Sequence, residues 1–267
     1  MSLYRIFAIT LRQFYIIRGS FSRIFPLFAW AGIDMILWGF LTKYLNSVSS
    51  PGFNFIPALL GAVLLWDFFI RIMQGVTMAF FEDVWSKNFI NVFATPLLVS
   101  EYVTGLVISS IVTSTIGLMV MLAIVILAFK LSLFAYGVTA LIFFLILFLF
   151  GISIGIFGSA LVLHFGPASE WFIWPIPAII SPFAGVLYPI ATLPQWMQSV
   201  SRMLPPSYVF EGLRAIVLGK EFNLISLFIG VGLAAIYIFL AYLFFVKIYK
   251  NSLHTGSLVR YSAESLT

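Results

Sequence analysis

Apolar runs of helical length alternate with short polar breaks along this chain. Crossing a hydrocarbon core of about 30 Å takes about 20 residues of helix. Six runs approach or exceed that length, at about 24–41, 55–74, 102–129, 136–163, 171–187 and 224–246. The first two are joined by NSVSSPGFN, whose Ser, Pro, Gly and Asn residues mark a turn, so they are expected to form a hairpin. The third and fourth exceed a perpendicular crossing and should tilt or project. The fifth carries Pro175, Pro177 and Pro182.

Three segments do not fit this rhythm. In residues 1–23, Leu3, Phe7, Leu11, Phe14, Ile17 and Phe21 recur at helical spacing while Arg5 and Arg12 lie on another face, the pattern of an interfacial amphipathic helix. Arg5, Arg12 and Arg18 interrupt every apolar run there, which excludes a signal peptide. Residues 75–96, GVTMAFFEDVWSKNFINVFATP, are too polar in the middle for lipid. They predict a short helix along the membrane face, centred on about 80–93 and ended by Pro96. Within it Phe81, Trp85 and Phe89 are spaced by four as an apolar anchor, with Glu82, Asp83 and Lys87 as polar contacts.

The third segment is YPIATLPQWMQSVSRMLPPSYVFEGLR, residues 188–214. Pro189, Pro194, Pro205 and Pro206 prevent a continuous helix. Two short helices fit instead, Gln195 to Met203 and a second on which Pro205, Tyr208, Glu211 and Arg214 form one ridge, with Glu211 and Arg214 able to pair. Trp196 and Tyr208 suit a membrane interface, and Gly219 stops the second helix. Backbone groups at membrane depth must be satisfied, so residues 193–219 are expected to form a broken, re-entrant helical hairpin. The resulting division is a surface helix over 1–23, a six-helix transmembrane domain over 24–249 and a polar tail over 250–267.

Composition agrees with an all-α polytopic membrane protein. Of 267 residues 62% are hydrophobic and 9% charged, with a mean hydropathy of +1.12, against about 45–50% apolar residues in soluble domains. The absence of cysteine excludes disulfides and thiolate metal sites, and His164 and His254 are too far apart to suggest a metal site. The net charge of +5 sits near membrane edges, which points to orientation and lipid contact and away from nucleic acid. Arg5, Arg12, Arg18 and Arg23 at one terminus and Lys247, Lys250 and Arg260 at the other predict that both termini are cytoplasmic. Residues 75–96 would then lie inside and 193–219 outside.

Little catalytic chemistry is legible. GISIG, residues 151–155, matches a nucleophile-elbow pattern but lies mid-run, where Gly151, Gly155 and Ser159 suit close helix packing. GLRAIVLGKE has the wrong glycine spacing for a phosphate-binding loop, so any ATP must bind another subunit. Asp67 and Arg71 share a helix face and could pair, which offsets a cost of about 2.5–3.5 kcal/mol for a charge at mid-membrane. Asp34 has no partner in its own helix, and either faces a polar cavity or takes a hydrogen bond from a neighbouring helix. An intramembrane enzyme built on Asp34, Asp67, Glu211 or His164 would need groups that converge, whereas this topology puts Asp67 and Glu211 towards opposite sides.

Gly185, Tyr188, Pro189, Leu193, Pro194 and Trp196, followed by Leu204, Pro205, Tyr208, Glu211 and Arg214, resemble the C-terminal signature of type-2 ABC exporter permeases, which export drugs, polysaccharides, teichoic acids and nodulation factors. Glu82, Thr95, Pro96 and Gly105 are similar to that family's coupling-helix segment, although DVWSKNF has Lys87 and no glycine where members often carry a basic-Gly-Thr run. The resemblance implies an exporter subunit that is not itself an enzyme and binds no cofactor. ATP and Mg would be held by two copies of a separate ABC ATPase, and a second permease copy, as a homodimer or a heterodimer, would complete the path. It implies ATPase coupling through Phe81, Glu82, Asp83, Trp85, Lys87, Phe89, Thr95 and Pro96. An outer gate would use Tyr188, Pro189, Pro194, Trp196, Pro205, Tyr208, Glu211 and Arg214. The expected place is the inner or cytoplasmic membrane, with an amphipathic, lipidic or glycan cargo. The alternative is an ion- or proton-coupled secondary transporter using Asp34 and Asp67.

Overall fold

Four helices among the described residues are long and apolar enough to cross a membrane: Ile56–Trp85, Val99–Phe129, Thr139–Phe165 and Leu224–Thr255. The computed structural model describes residues 1–48, 56–86, 88, 91–92, 94–131, 136–220 and 224–255. In chain order the helices are α1 (Leu3–Arg18), α2 (Phe21–Val48), α3 (Gly61–Trp85), α4 (Val99–Phe129), α5 (Thr139–Phe165), α6 (Ile176–Ala184), α7 (Gln195–Met203), α8 (Pro205–Val217) and α9 (Leu224–Thr255). A π-helical turn, Ile56–Leu60, leads into α3. The Tyr136 hydroxyl donates to the Pro57 carbonyl at 2.6 Å beside this turn.

The long helices pack as a series of neighbours. α5 lies between α3 and α9, α4 covers another side of α3, and α1 and α2 pack on α4. The close approach of α5 to α3 depends on small residues. A Cβ added at Gly151 would come within 2.9 Å of Ile72 Cβ, and one at Gly155 within 2.7 Å of Val76 Cβ and 2.9 Å of the Met73 carbonyl oxygen. Ser159 bonds the Gly155 carbonyl at 2.9 Å and so hides its hydroxyl. Aromatic rings continue the contact: Phe69 stacks on Phe150 at 5.3 Å, and Phe150 meets Tyr237 of α9 edge-on at 5.4 Å. In lipid, where apolar surface alone gives helices little reason to associate, such contacts supply the attraction.

Two expectations from the sequence are corrected. The second span does not stop at Gln74, because α3 runs unbroken to Trp85. Val76, Thr77, Ala79, Phe80, Phe81 and Val84 keep its buried face going, and the polar residue that argued for a break, Asp83, is turned into the protein. The fifth span is not one helix. A 3₁₀ turn, Pro167–Phe172, precedes α6, whose nine residues span about 13 Å at 1.5 Å each, under half of a hydrocarbon core.

Replacing Gly155 by Leu should force α5 from α3 and lower stability in detergent by about 1–3 kcal/mol. Gly232→Leu, where an added Cβ meets nothing within 4 Å, should be neutral. Paired thermal-unfolding curves check the contrast.

Candidate functional site

The sequence directs attention to both ends of the bundle. At the base, where α1 lies, three helices meet around two buried carboxylates. Asp83 of α3 and Glu101 of α4 are 0% and 1% exposed. Arg12 of α1 forms an ion pair with Asp83, and the Tyr102 hydroxyl donates to the same carboxylate at 2.8 Å. Glu101 accepts from the backbone N–H of Ser2 at 2.6 Å and of Leu98 at 3.0 Å, and pairs with Arg5 at 3.4 Å. Gln13 donates to the Ala79 carbonyl at 3.0 Å. Burying a carboxylate costs several kcal/mol unless partners surround it, so α1 is clasped here by Arg5 and Arg12, two of its three cations.

α1 therefore presents two different faces. Ile6, Ile9 and Gln13 are buried on the protein side, while Leu3, Tyr4, Phe7, Phe14 and Tyr15 are exposed on the other. The apolar stripe read from the sequence is the outward one, and Arg5 and Arg12 point to the bundle.

Beyond α3 the chain reaches an exposed surface at Thr95 and Pro96. Trp85 is 47% exposed and its indole N–H donates to Glu170 at 2.8 Å, tying this end of α3 to the turn after α5. Glu82 is partly exposed. Phe81 and Asp83, expected as a surface anchor and a surface contact, are both buried: Phe81 packs on the Trp85 ring at 5.5 Å, and Asp83 holds Arg12. Neither is available for docking as it stands, because α3 continues its buried face through them. Lys87 and Phe89 lie outside the described residues.

Between the ends, Asp34 of α2 comes close to Asp67 of α3, and Arg71 is the cation near both. Arg71 lies along α4, with Nε 3.4 Å from Met121 Sδ, and a Cβ at Gly117 would come within 3.2 Å of its Cδ.

At the far end α7 and α8 are short helices joined at Leu204, with Pro194 preceding the first and Pro205 opening the second. α8 sinks between α5 and α9. Phe210 meets Trp66 at 6.0 Å, and a Cβ at Gly230 would sit 3.0 Å from Ile146 and 3.3 Å from Tyr208. Ile146 is about 10 Å along α5 from its first residue. Most polar groups of α8 find partners nearby, although Arg214 Nε is buried without one. Arg214, 16% exposed, donates to the Gly185 carbonyl at 2.6 Å and to Glu211 at 2.8 Å, and Glu211 accepts the Ile190 N–H at 2.8 Å. Gly185, at φ +67°, turns the chain after α6 so that its carbonyl can meet Arg214. Tyr208 bonds the Arg202 carbonyl at 2.7 Å and Tyr188 the Pro182 carbonyl at 3.0 Å. Trp196 is exposed, with its ring 6.2 Å from Phe183, and Pro189 is exposed at the turn. A cavity of about 380 Å³ opens beside Arg202, Tyr208, Glu211 and Ser226.

Sequence reasoning missed Glu101, Tyr102, Gln13 and Glu170. Glu101 had a usable signal, an acid in the first turn of a helix just after Pro96. Gln13 and Tyr102 had none, since their partners lie on other helices.

The model of a family described as ABC-2 type transporter matches residues 4–218, from α1 through α8. Comparison with curated proteins gave no match.

Arg12→Ala should cost about 3–5 kcal/mol because Asp83 stays buried without its cation, while Arg12→Met combined with Asp83→Leu should recover much of that loss. At the far end Arg214→Ala should cost about 1.5–3 kcal/mol by freeing the Gly185 carbonyl. Glu211→Ala should cost less, because its carboxylate is 44% exposed and screened. Double-mutant cycles on detergent-solubilised protein measure both.

Proposed function

This chain belongs to the ABC-2 type transporter family, and from that premise we propose that it is the permease subunit of an ATP-driven exporter, moving an amphipathic, lipidic or glycan cargo outward. The family match carries the reading: it runs from α1 to α8 and so takes in both ends of the bundle. The chain is a transport subunit, and ATP with Mg is bound by a separate ABC ATPase present in two copies.

In this reading there are six membrane segments, the broken α6 segment counted as the fifth, and the base is cytoplasmic. Arg5, Arg12 and Arg18 at that end favour the cytoplasmic side. α1 lies in the membrane interface with Leu3, Phe7 and Phe14 towards lipid. Trp85, Glu82, Thr95 and Pro96 form the surface that meets the ATPase. Motion delivered there reaches the spans directly, since α3 continues into this region and its end is clasped to α1 and α4. The ATPase can drive transport only if it binds the permease's two conformations with different affinity.

The α7–α8 hairpin caps the exit in the outer leaflet, with Arg214 latching α8 to the turn after α6. A second permease copy completes the path. α2 offers it a stripe at alternating intervals of three and four, Trp30, Ile33, Leu37, Phe40 and Tyr44, exposed along its length.

Trp85→Ala should weaken co-purification with an ATPase encoded beside this chain by about 2 kcal/mol or more while leaving the permease folded. Thr192→Cys should react with an impermeant thiol reagent in intact cells and His254→Cys should not. Phe14→Cys should report a lipid-quenched fluorophore. Undiminished co-purification, reversed labelling or an unquenched probe would each overturn the corresponding part of this reading.

A further inference from the structure

One hydrogen bond at the base joins two elements that are distant in the chain. The Trp85 indole N–H at the end of α3 donates to Glu170 Oε2 at 2.8 Å, and Glu170 belongs to the 3₁₀ turn Pro167–Phe172. With Trp85 47% exposed, water can replace either partner, so the bond adds little to stability and is easily exchanged. The turn carries this contact onward. Ile173, directly after it, is buried against α5, where a Cβ added at Gly158 would come within 3.2 Å of Ile173 Cγ2. α6 then starts at Ile176 and packs on α7 and α8 at the far end. The Phe183 ring lies 6.2 Å from Trp196 of α7, and the Gly185 carbonyl that follows α6 accepts from Arg214 of α8 at 2.6 Å. A helix of nine residues thus has the Trp85 tie before it and the hairpin contacts after it.

We propose that Glu170 is a positioning residue for transport: through its bond to Trp85, the placement of α6, and with it of the far-end hairpin, depends on what covers the Trp85 indole. The inference rests on the reading that an ATPase meets Trp85. A partner docking over this ring must leave the indole N–H on Glu170 or take its place. Docking and the position of the turn are therefore linked, and such a linkage acts equally in both directions.

The chain has no cysteine, so Thr192→Cys, exposed in the turn between α6 and α7, gives a single far-end probe. The full chain carrying it, purified with the ATPase encoded beside it and placed in lipid nanodiscs, is labelled with a maleimide in the absence of nucleotide and with ATP plus vanadate. The two labelling rates should differ about five-fold. Glu170→Ala removes the acceptor and should shrink that difference below about two-fold. Glu170→Gln keeps an acceptor oxygen without the charge and should preserve it. Both variants should retain the ATPase and unfold at the unsubstituted temperature, whereas a merely structural role would lower that temperature and spare the nucleotide response. An undiminished response in Glu170→Ala overturns the proposal. So does a response lost equally in Glu170→Gln, which would make the charge and not the bond decisive, or an ATPase that no longer co-purifies with Glu170→Ala, which would make Glu170 a docking residue. A probe indifferent to nucleotide while the ATPase stays bound overturns this inference alone; an ATPase that never co-purifies with the unsubstituted chain overturns the reading beneath it as well.

Discussion

The ion pair between Arg12 and Asp83 is the interaction on which the base of this protein depends. A fully buried carboxylate at the end of a membrane helix is tolerable only if its partners are as fixed as it is, and here they come from two other helices. The need to satisfy Asp83 brings α1 against α3 and sets Tyr102 of α4 beside them. Because α1 is then held by its cationic face, its apolar face is left outward. The same contact that neutralises a charge therefore decides which face of the helix is exposed.

Between the ends, packing takes over from charge. Lipid solvates apolar side chains nearly as well as protein does, so helices gain most where their backbones approach closely. Gly151 and Gly155 permit that approach for α5 and α3, and the Phe69, Phe150 and Tyr237 rings extend it to α9. This rigid pair connects the base to the far end. There the rule that governed Asp83 returns on a smaller scale: α8 lies deep enough that Arg214 serves a loop carbonyl and an acid at once, and Glu211 serves a loop N–H in turn. Each end is a place where irregular backbone is made tolerable by side chains reaching across from a helix.

α3 runs unbroken to Trp85, and its end is tied to three other parts of the chain: Asp83 holds Arg12 and Tyr102, and the Trp85 indole bonds Glu170. The far-end hairpin, by contrast, meets the α6 segment through the Arg214 and Glu211 contacts and the Phe183–Trp196 rings, while Val209, Phe210 and Leu213 of α8 are buried in the core. The base is thus held by buried ion pairs from three helices, and the far end by a smaller set of polar contacts over a buried helix.

Much of this was legible in the chain itself. Membrane helices announce themselves because lipid solvation is a property of each segment alone, and the long apolar runs at α4, α5 and α9 needed no partner to be recognised. The two short helices of the 195–217 region were readable for a similar reason: proline acts on its own backbone, wherever the rest of the chain lies. What the sequence could not determine was pairing. The middle of 75–96 looked too polar for lipid, yet Asp83 pairs with Arg12, 71 residues away in the chain, and α3 continues past it. Asp34 likewise comes close to Asp67 of another helix, and Phe81 left the surface because the helix carrying it was longer than its local pattern implied. Burial in lipid is decided residue by residue, whereas a buried charge or hydrogen bond is decided by two groups at once, and only the tertiary structure brings those two together.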